Sequence, residues 1–147
     1  LIIVRGRNYY AEDIERVAEQ IPGVKGGGVI AFGVYDEQQA VDLVVIVCET
    51  SETDAGARER LASGVTEAVQ TTVGVQVDEV VLVGPGALPK TSSGKRQRNL
   101  CRALYLSGDL ADRRTNKMRL ALVFARSGLG LAASQARRLL GIRREPP

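Results

Sequence analysis

The stretch richest in possible chemistry is Leu88-Pro89-Lys90-Thr91-Ser92-Ser93-Gly94-Lys95. Small hydroxyl residues and glycine allow a tight turn with exposed backbone, and they set Lys95 at the mouth of the segment that follows. A flexible ammonium so placed suits anion recognition, of a phosphate, a carboxylate or both. On composition alone a solvated lysine in a polar loop is the simpler reading. The loop is not a P-loop. That motif needs Gly, four residues, Gly-Lys and then Ser or Thr, whereas Pro89 stands in the first Gly's place and Arg96 follows Lys95. Gly26-Gly27-Gly28-Val29-Ile30-Ala31 spells a dinucleotide fingerprint, but a helical pattern precedes it and a strand pattern follows. The fingerprint needs the reverse order, so this segment reads as a turn. The chain has no histidine, which removes His triads and His metal sites. Cys48 and Cys101 fit no metal-ligand spacing and read as free thiols of a reducing compartment. No metal site is expected, and acid–base or electrostatic work falls to Lys, Arg, Asp, Glu or backbone.

The elements that must position Lys95 follow from periodicity. Leu1–Val4 is a short apolar run, read as a strand, and Arg5-Gly6-Arg7-Asn8 reads as a polar turn. From Ala11 the pattern turns helical. Ile14, Val17, Ala18 and Ile21 are spaced as an inner face, Glu12, Asp13, Glu15 and Glu19 as the outer one, and Pro22-Gly23 stops the helix. Gly28–Val34 and Val41–Cys48 read as strands joined by a polar loop. The unbroken run Leu43–Val47 predicts a central strand covered on both faces. Thr53-Asp54 opens a helix reaching about Thr72, Gln76–Val83 reads as a strand, and a helix follows Lys95 to about Ser107. The fold class is α+β, a small mixed β-sheet flanked by helices, with a mainly helical basic tail.

The 147 residues are 44% hydrophobic and 25% charged, ordinary for a globular protein with its own core. Residues 1–108 carry 11 Lys or Arg against 14 Asp or Glu, and residues 109–147 carry 9 against 3. That shift marks 1–108 as one domain and 109–147 as a basic C-terminal extension. No long apolar stretch predicts a membrane span. The extension's charge is not interleaved with exposed aromatics, and nucleic acid is not expected as a partner. The start at Leu1 reads as a piece cut from something longer, with no signal peptide.

Two segments together resemble a known superfamily. Val4-Arg5-Gly6-Arg7-Asn8-Tyr9-Tyr10-Ala11-Glu12-Asp13-Ile14-Glu15 resembles the stretch just past the hinge of adenylate-forming ligases. Leu88–Arg98 resembles their C-terminal lysine motif, and the intervening elements match in number. Arg-Gly-Arg-Asn, then an aromatic and Asp-Ile-Glu, looks most like the fatty acyl-AMP ligases. That branch usually has His-Tyr-Pro-Gln where this chain has Tyr9-Tyr10-Ala11-Glu12. The resemblance covers roughly residues 1–108 and implies a C-terminal lid domain closing over an N-terminal adenylation domain. The implied reaction joins a fatty acid to the α-phosphate of ATP, with Mg2+, and passes the acyl group to a phosphopantetheine thiol of an acyl carrier protein or polyketide synthase carrier domain. It further implies that Lys95 is catalytic, that Lys90 and Arg98 support its loop, and that Gly6, flanked by Arg5 and Arg7, borders the acceptor channel. A cytoplasmic enzyme is expected, with the isolated domain inactive. The alternatives are the lid of an acyl-CoA ligase, that of a peptide-synthetase adenylation domain, or a non-catalytic α+β interaction module.

Overall fold

A computed structural model describes residues 1–38 and 40–110; the basic extension, expected to be helical, lies outside the described residues from 111 onward. Strands β1 (Ile2–Val4) and β2 (Arg7–Tyr9) form an antiparallel ladder from Ile2↔Tyr9 to Val4↔Arg7. The turn is thus shorter than the polar run Arg5–Asn8 suggests: Arg7 and Asn8 already belong to a strand. Only Arg5 and Gly6 turn, both with positive φ, 49° and 76°. A two-residue hairpin loop of the tight primed kind demands that conformation at both positions.

Helix α1 (Ala11–Glu19) carries Glu12 and Asp13 in its first turn, where the helix dipole favours negative charge. Its buried face is Ala11, Ile14, Glu15 and Ala18. Glu15 therefore points inward, contrary to its placement with the polar face. The reason lies in the geometry. Positions i, i+3, i+4 and i+7 share one stripe of a helix, and Glu15 is the i+4 member.

Strands β3 (Val29–Asp36) and β4 (Val41–Glu49) pair antiparallel from Val29↔Cys48 to Asp36↔Val41. Helix α2 (Ala55–Thr72) begins at Asp54, whose Oδ2 accepts from Ala57 N at 2.8 Å; such a cap is worth about 1 kcal/mol. The helix crosses over to β5 (Glu79–Val83), which pairs parallel with β4 from Val45↔Glu79 to Glu49↔Val83. The ladder starts later than the β-branched run from Gln76. Just before it, Asp78 binds Val44 through both backbone and side chain: Asp78 N donates to Val44 O at 2.9 Å, and Val44 N to Asp78 Oδ2 at 2.7 Å. Helix α3 (Arg98–Ser107) ends at Gly108 in the left-handed conformation.

The mixed sheet runs β3-β4-β5, so the apolar strand is central, as its composition predicts. Val44, Ile46 and Cys48 face α1 and α2, packing with Ile14, Val65 and Val69. Val45 and Val47 face α3, packing with Phe32 and Tyr105, whose rings meet edge to face at 5.4 Å. Each fully buried aliphatic side chain contributes about 1.5–3 kcal/mol. The two cores sandwich the sheet and hold rigid both ends of the β5–α3 connection. No helix among the described residues is long and apolar enough to cross a membrane.

Candidate functional site

The connection from β5 to α3 narrows to a small hairpin. Lys90 and Arg96 form an isolated antiparallel bridge, and Gln97 N donates to Pro89 O at 3.0 Å. At the tip, Thr91 N donates to Lys95 O at 2.8 Å, Gly94 N to Thr91 O at 2.9 Å, and Lys95 N to Thr91 Oγ1 at 3.0 Å. Gly94 takes φ +85°, a conformation that costs an L residue with a side chain roughly 1–2 kcal/mol. This extra turn explains why α3 starts at Arg98 rather than directly after Lys95. The backbone of Lys95 is thereby fixed, while its side chain is exposed and its ammonium has no hydrogen bond or ion pair among the described residues.

Both stems of the hairpin rest on buried carboxylates. Upstream, Glu49 at the end of β4 is 0% exposed. Its Oε1 accepts from Leu88 N at 3.1 Å, and its Oε2 lies 3.4 Å from Lys25 Nζ. Burial pushes this carboxyl upward, but the backbone N–H groups of Gly86 and Leu88, together with Lys25 and Lys90, outweigh it and hold the group below the usual carboxylate range. Downstream, Glu15 is 1% exposed. Its Oε1 accepts from Ala31 N at 3.0 Å and Arg98 Nη2 at 2.8 Å, and its Oε2 from Arg96 Nη1 at 3.3 Å. Arg98 Nε also donates to Ala31 O at 3.0 Å, and Arg96 Nη2 pairs with Glu19. A buried charge is tolerable only when its hydrogen-bonding capacity is filled in this way.

The residues singled out from sequence fall into two groups. Lys90, Lys95 and Arg98 share this loop, Lys90 half-buried beside Glu49 and Arg98 binding Glu15 and β3. Arg5, Gly6 and Arg7 sit exposed on the β1–β2 hairpin. No hydrogen bond or ion pair among the described residues joins the two groups. Sequence reasoning missed Glu15, Glu49 and Arg96. The helical stripe of α1 held the signal for Glu15. Glu49 gave none, because its partner Leu88 is 39 residues away. Cys48 and Cys101 are free and buried. Burial pushes both thiols up to about 12, with Glu19 adding to the rise at Cys48 and Glu15 at Cys101; neither is a nucleophile at neutral pH. No group of three Cys, Asp or Glu among the described residues could hold a metal ion.

What this arrangement offers chemically is one presented cation on a braced loop. Comparison with known proteins gives it a family. The model of the Disco-interacting protein 2-like AMP domain matches residues 1–115. A Caulobacter vibrioides protein, provisionally named an acyl-CoA synthetase, is 39% identical over 113 residues, 76% of this chain and 19% of that protein. A medium-chain-fatty-acid–[acyl-carrier-protein] ligase of Moorena producens is 37% identical over 113 residues, 75% of this chain and 19% of that one. Among solved structures, a fatty acyl-adenylate ligase from work on the E. coli and L. pneumophila enzymes is 31% identical with TM-score 0.57, covering 82% of this chain and 19% of that chain. The adenylation–carrier structure McyG A-PCP, complexed with phenylalanyl-adenylate, reaches TM-score 0.72 at 25% identity, covering 85% and 20%. The chain thus spans only a small part of each relative's length. With a family model covering most of its residues and relatives well above 30% identity, the chain belongs to the Disco-interacting protein 2-like AMP-domain family and is a domain of the adenylate-forming acyl ligases.

Proposed function

We propose that the chain is the C-terminal lid of a fatty acyl-AMP ligase, and that Lys95 is the cation it brings to the adenylation site. The observation that carries this reading is the Lys95 ammonium, without a partner among the described residues, at the tip of a loop clamped at both stems. Adenylation brings a carboxylate against a polyphosphate, and both are anions. A preorganised positive charge between them offsets their repulsion and the charge developing on the attacked phosphorus. It does so without proton transfer, which suits a chain lacking histidine. On this reading ATP, Mg2+ and the fatty acid are held mainly by an N-terminal adenylation domain. The acyl group then leaves for a carrier-protein phosphopantetheine thiol past the Arg5-Gly6-Arg7 hairpin. The matching carrier-protein ligase of Moorena producens supports this acceptor.

A second reading, the lid of an acyl-CoA ligase, is favoured by the Caulobacter relative. One assay separates the two. The full-length protein is tested for fatty-acid-dependent pyrophosphate exchange, and then for acyl transfer to a holo carrier protein and to CoA. Exchange followed by transfer to the carrier alone supports the proposal. Efficient transfer to CoA moves the protein to the second reading. Absence of fatty-acid-dependent exchange rejects both.

A further inference from the structure

The clamp on the downstream stem is more elaborate than a loop anchor requires. Arg96, next to Lys95, sends Nη1 to the buried Glu15 and Nη2 to Glu19, and so engages two successive turns of α1. Glu15 already accepts from Ala31 N and Arg98, contacts that tie α3 to β3 and α1. The second arginine is held although its buried Nε–H finds no partner among the described residues.

The local geometry supplies another role. Arg96 bridges Lys90 in a short antiparallel pair, and consecutive side chains along such a stem point to opposite sides. Holding Arg96 inward against α1 therefore turns its neighbour Lys95 outward. A one-residue slip of the stem would exchange the two. The bridge and the Thr91–Lys95 hydrogen bonds set this register within the hairpin. The carboxylates of α1 tie its downstream stem to the body of the domain.

We infer that Arg96, clamped by Glu15 and Glu19, is a positioning residue for the adenylation reaction, holding the stem against α1 and so the direction in which Lys95 is presented. This rests on the reading of Lys95 as the adenylation cation. Arg96 itself touches no substrate; it acts through Lys95.

The test uses the full-length enzyme with Arg96→Gln, Arg96→Lys, Glu15→Gln, Lys95→Ala and the double variant Arg96→Gln/Lys95→Ala. Pyrophosphate exchange reads adenylation, transfer from supplied acyl-adenylate reads the second half-reaction, and thermal unfolding reads the fold. Arg96→Gln is expected to lower the kcat of exchange by about tenfold to a hundredfold, the scale of an ångström-sized misplacement. It should leave transfer and the KM for ATP near wild type. Arg96→Lys should recover part of the loss, because an ammonium can still meet one of the two carboxylates. In the Lys95→Ala background Arg96→Gln should bring no further loss in exchange, as expected for two residues acting as one unit. Should Glu15→Gln fail to fold, the Arg96 variants carry the test, since removing Arg96 leaves Glu15 paired with Arg98. Independent, multiplicative losses from Arg96→Gln and Lys95→Ala, or equal losses in exchange and transfer, would overturn the inference while leaving the role of Lys95 intact. An unchanged exchange rate in Lys95→Ala would instead reject the reading on which it rests, and the inference with it.

Discussion

The loop that presents Lys95 and the hairpin that presents Gly6 are both exposed turns, yet they are built on different principles. The Lys95 loop is braced from below by Glu49 and Glu15, 0% and 1% exposed, Glu49 accepting from Leu88 N in the upstream stem and Glu15 from Arg96 and Arg98 in the downstream one. Among the described residues the Gly6 hairpin has no such brace. It is shaped by its own ladder and by positive φ at Arg5 and Gly6, and it is tied to the body through buried Ile2, the packing of Val4 and Tyr9 against the core, and two polar contacts among the described residues. In these, Ile3 N donates to Asp42 Oδ2 at 3.0 Å and Tyr9 Oη to Gly74 O at 3.4 Å. A side chain that must meet developing charge needs a fixed origin. A backbone that must only be small where another group passes needs local turn geometry and little else.

Four substitutions, made in the full-length enzyme, would break or sharpen that contrast. The largest effect is expected of Lys95→Ala, which on the proposed role removes a transition-state charge worth on the order of 3–4 kcal/mol, or roughly a hundred- to a thousandfold in adenylation. Pyrophosphate exchange would show the loss, with transfer from supplied acyl-adenylate much less affected. Equal damage to both half-reactions would erase the functional distinction between the two turns. Gly6→Trp should do the opposite. A side chain at Gly6 starts in open space, with no atom within 4 Å of its Cβ, so the domain should fold at a conformational cost of about 1–2 kcal/mol. Transfer to the carrier should fall by about tenfold or more while exchange survives. Normal transfer with poor exchange would remove Gly6 from the acceptor path.

Next in size is Glu49→Gln, which keeps the shape but discharges the upstream brace. A loss of about 1–3 kcal/mol in the domain's urea stability is expected. The pH dependence gives a finer test. The Glu49 carboxyl is held below its ordinary value of 4.5 in the fold. Its charged form therefore stabilises the native state fully above that value, and the contribution is lost as pH falls toward the lower native value. Wild type should lose stability on acidification through this window more steeply than Glu49→Gln. Parallel acid limbs would mean that Glu49 is not the brace. The smallest effect is expected of the basic extension. Replacing Arg137, Arg138, Arg143 and Arg144 by Gln should lower transfer to an acidic carrier by about two- to threefold at low salt and flatten the salt dependence, because steering is screened over about 8 Å at physiological ionic strength. An unchanged rate and slope would leave these arginines without a part in docking.

Much of this protein is legible in one dimension because the physics involved is local. The run Leu43–Val47 identifies the central strand, since only a strand covered on both faces can bury every side chain. Asp54 marks the start of α2 through its cap, and Gly94 with its hydroxyl neighbours marks the turn that presents Lys95. The two segments around Gly6 and Lys95 were enough to place the chain in its superfamily. Tertiary structure alone decided what holds those segments in place. Glu15 belongs to the apolar stripe of α1, but a carboxylate can lie there only because Arg96 and Arg98 arrive from more than 80 residues away. Glu49 closes its apolar strand with no local sign that Leu88 will bind it. Burying a charge is favourable only with its partners present, and partners distant in sequence meet only in the folded chain.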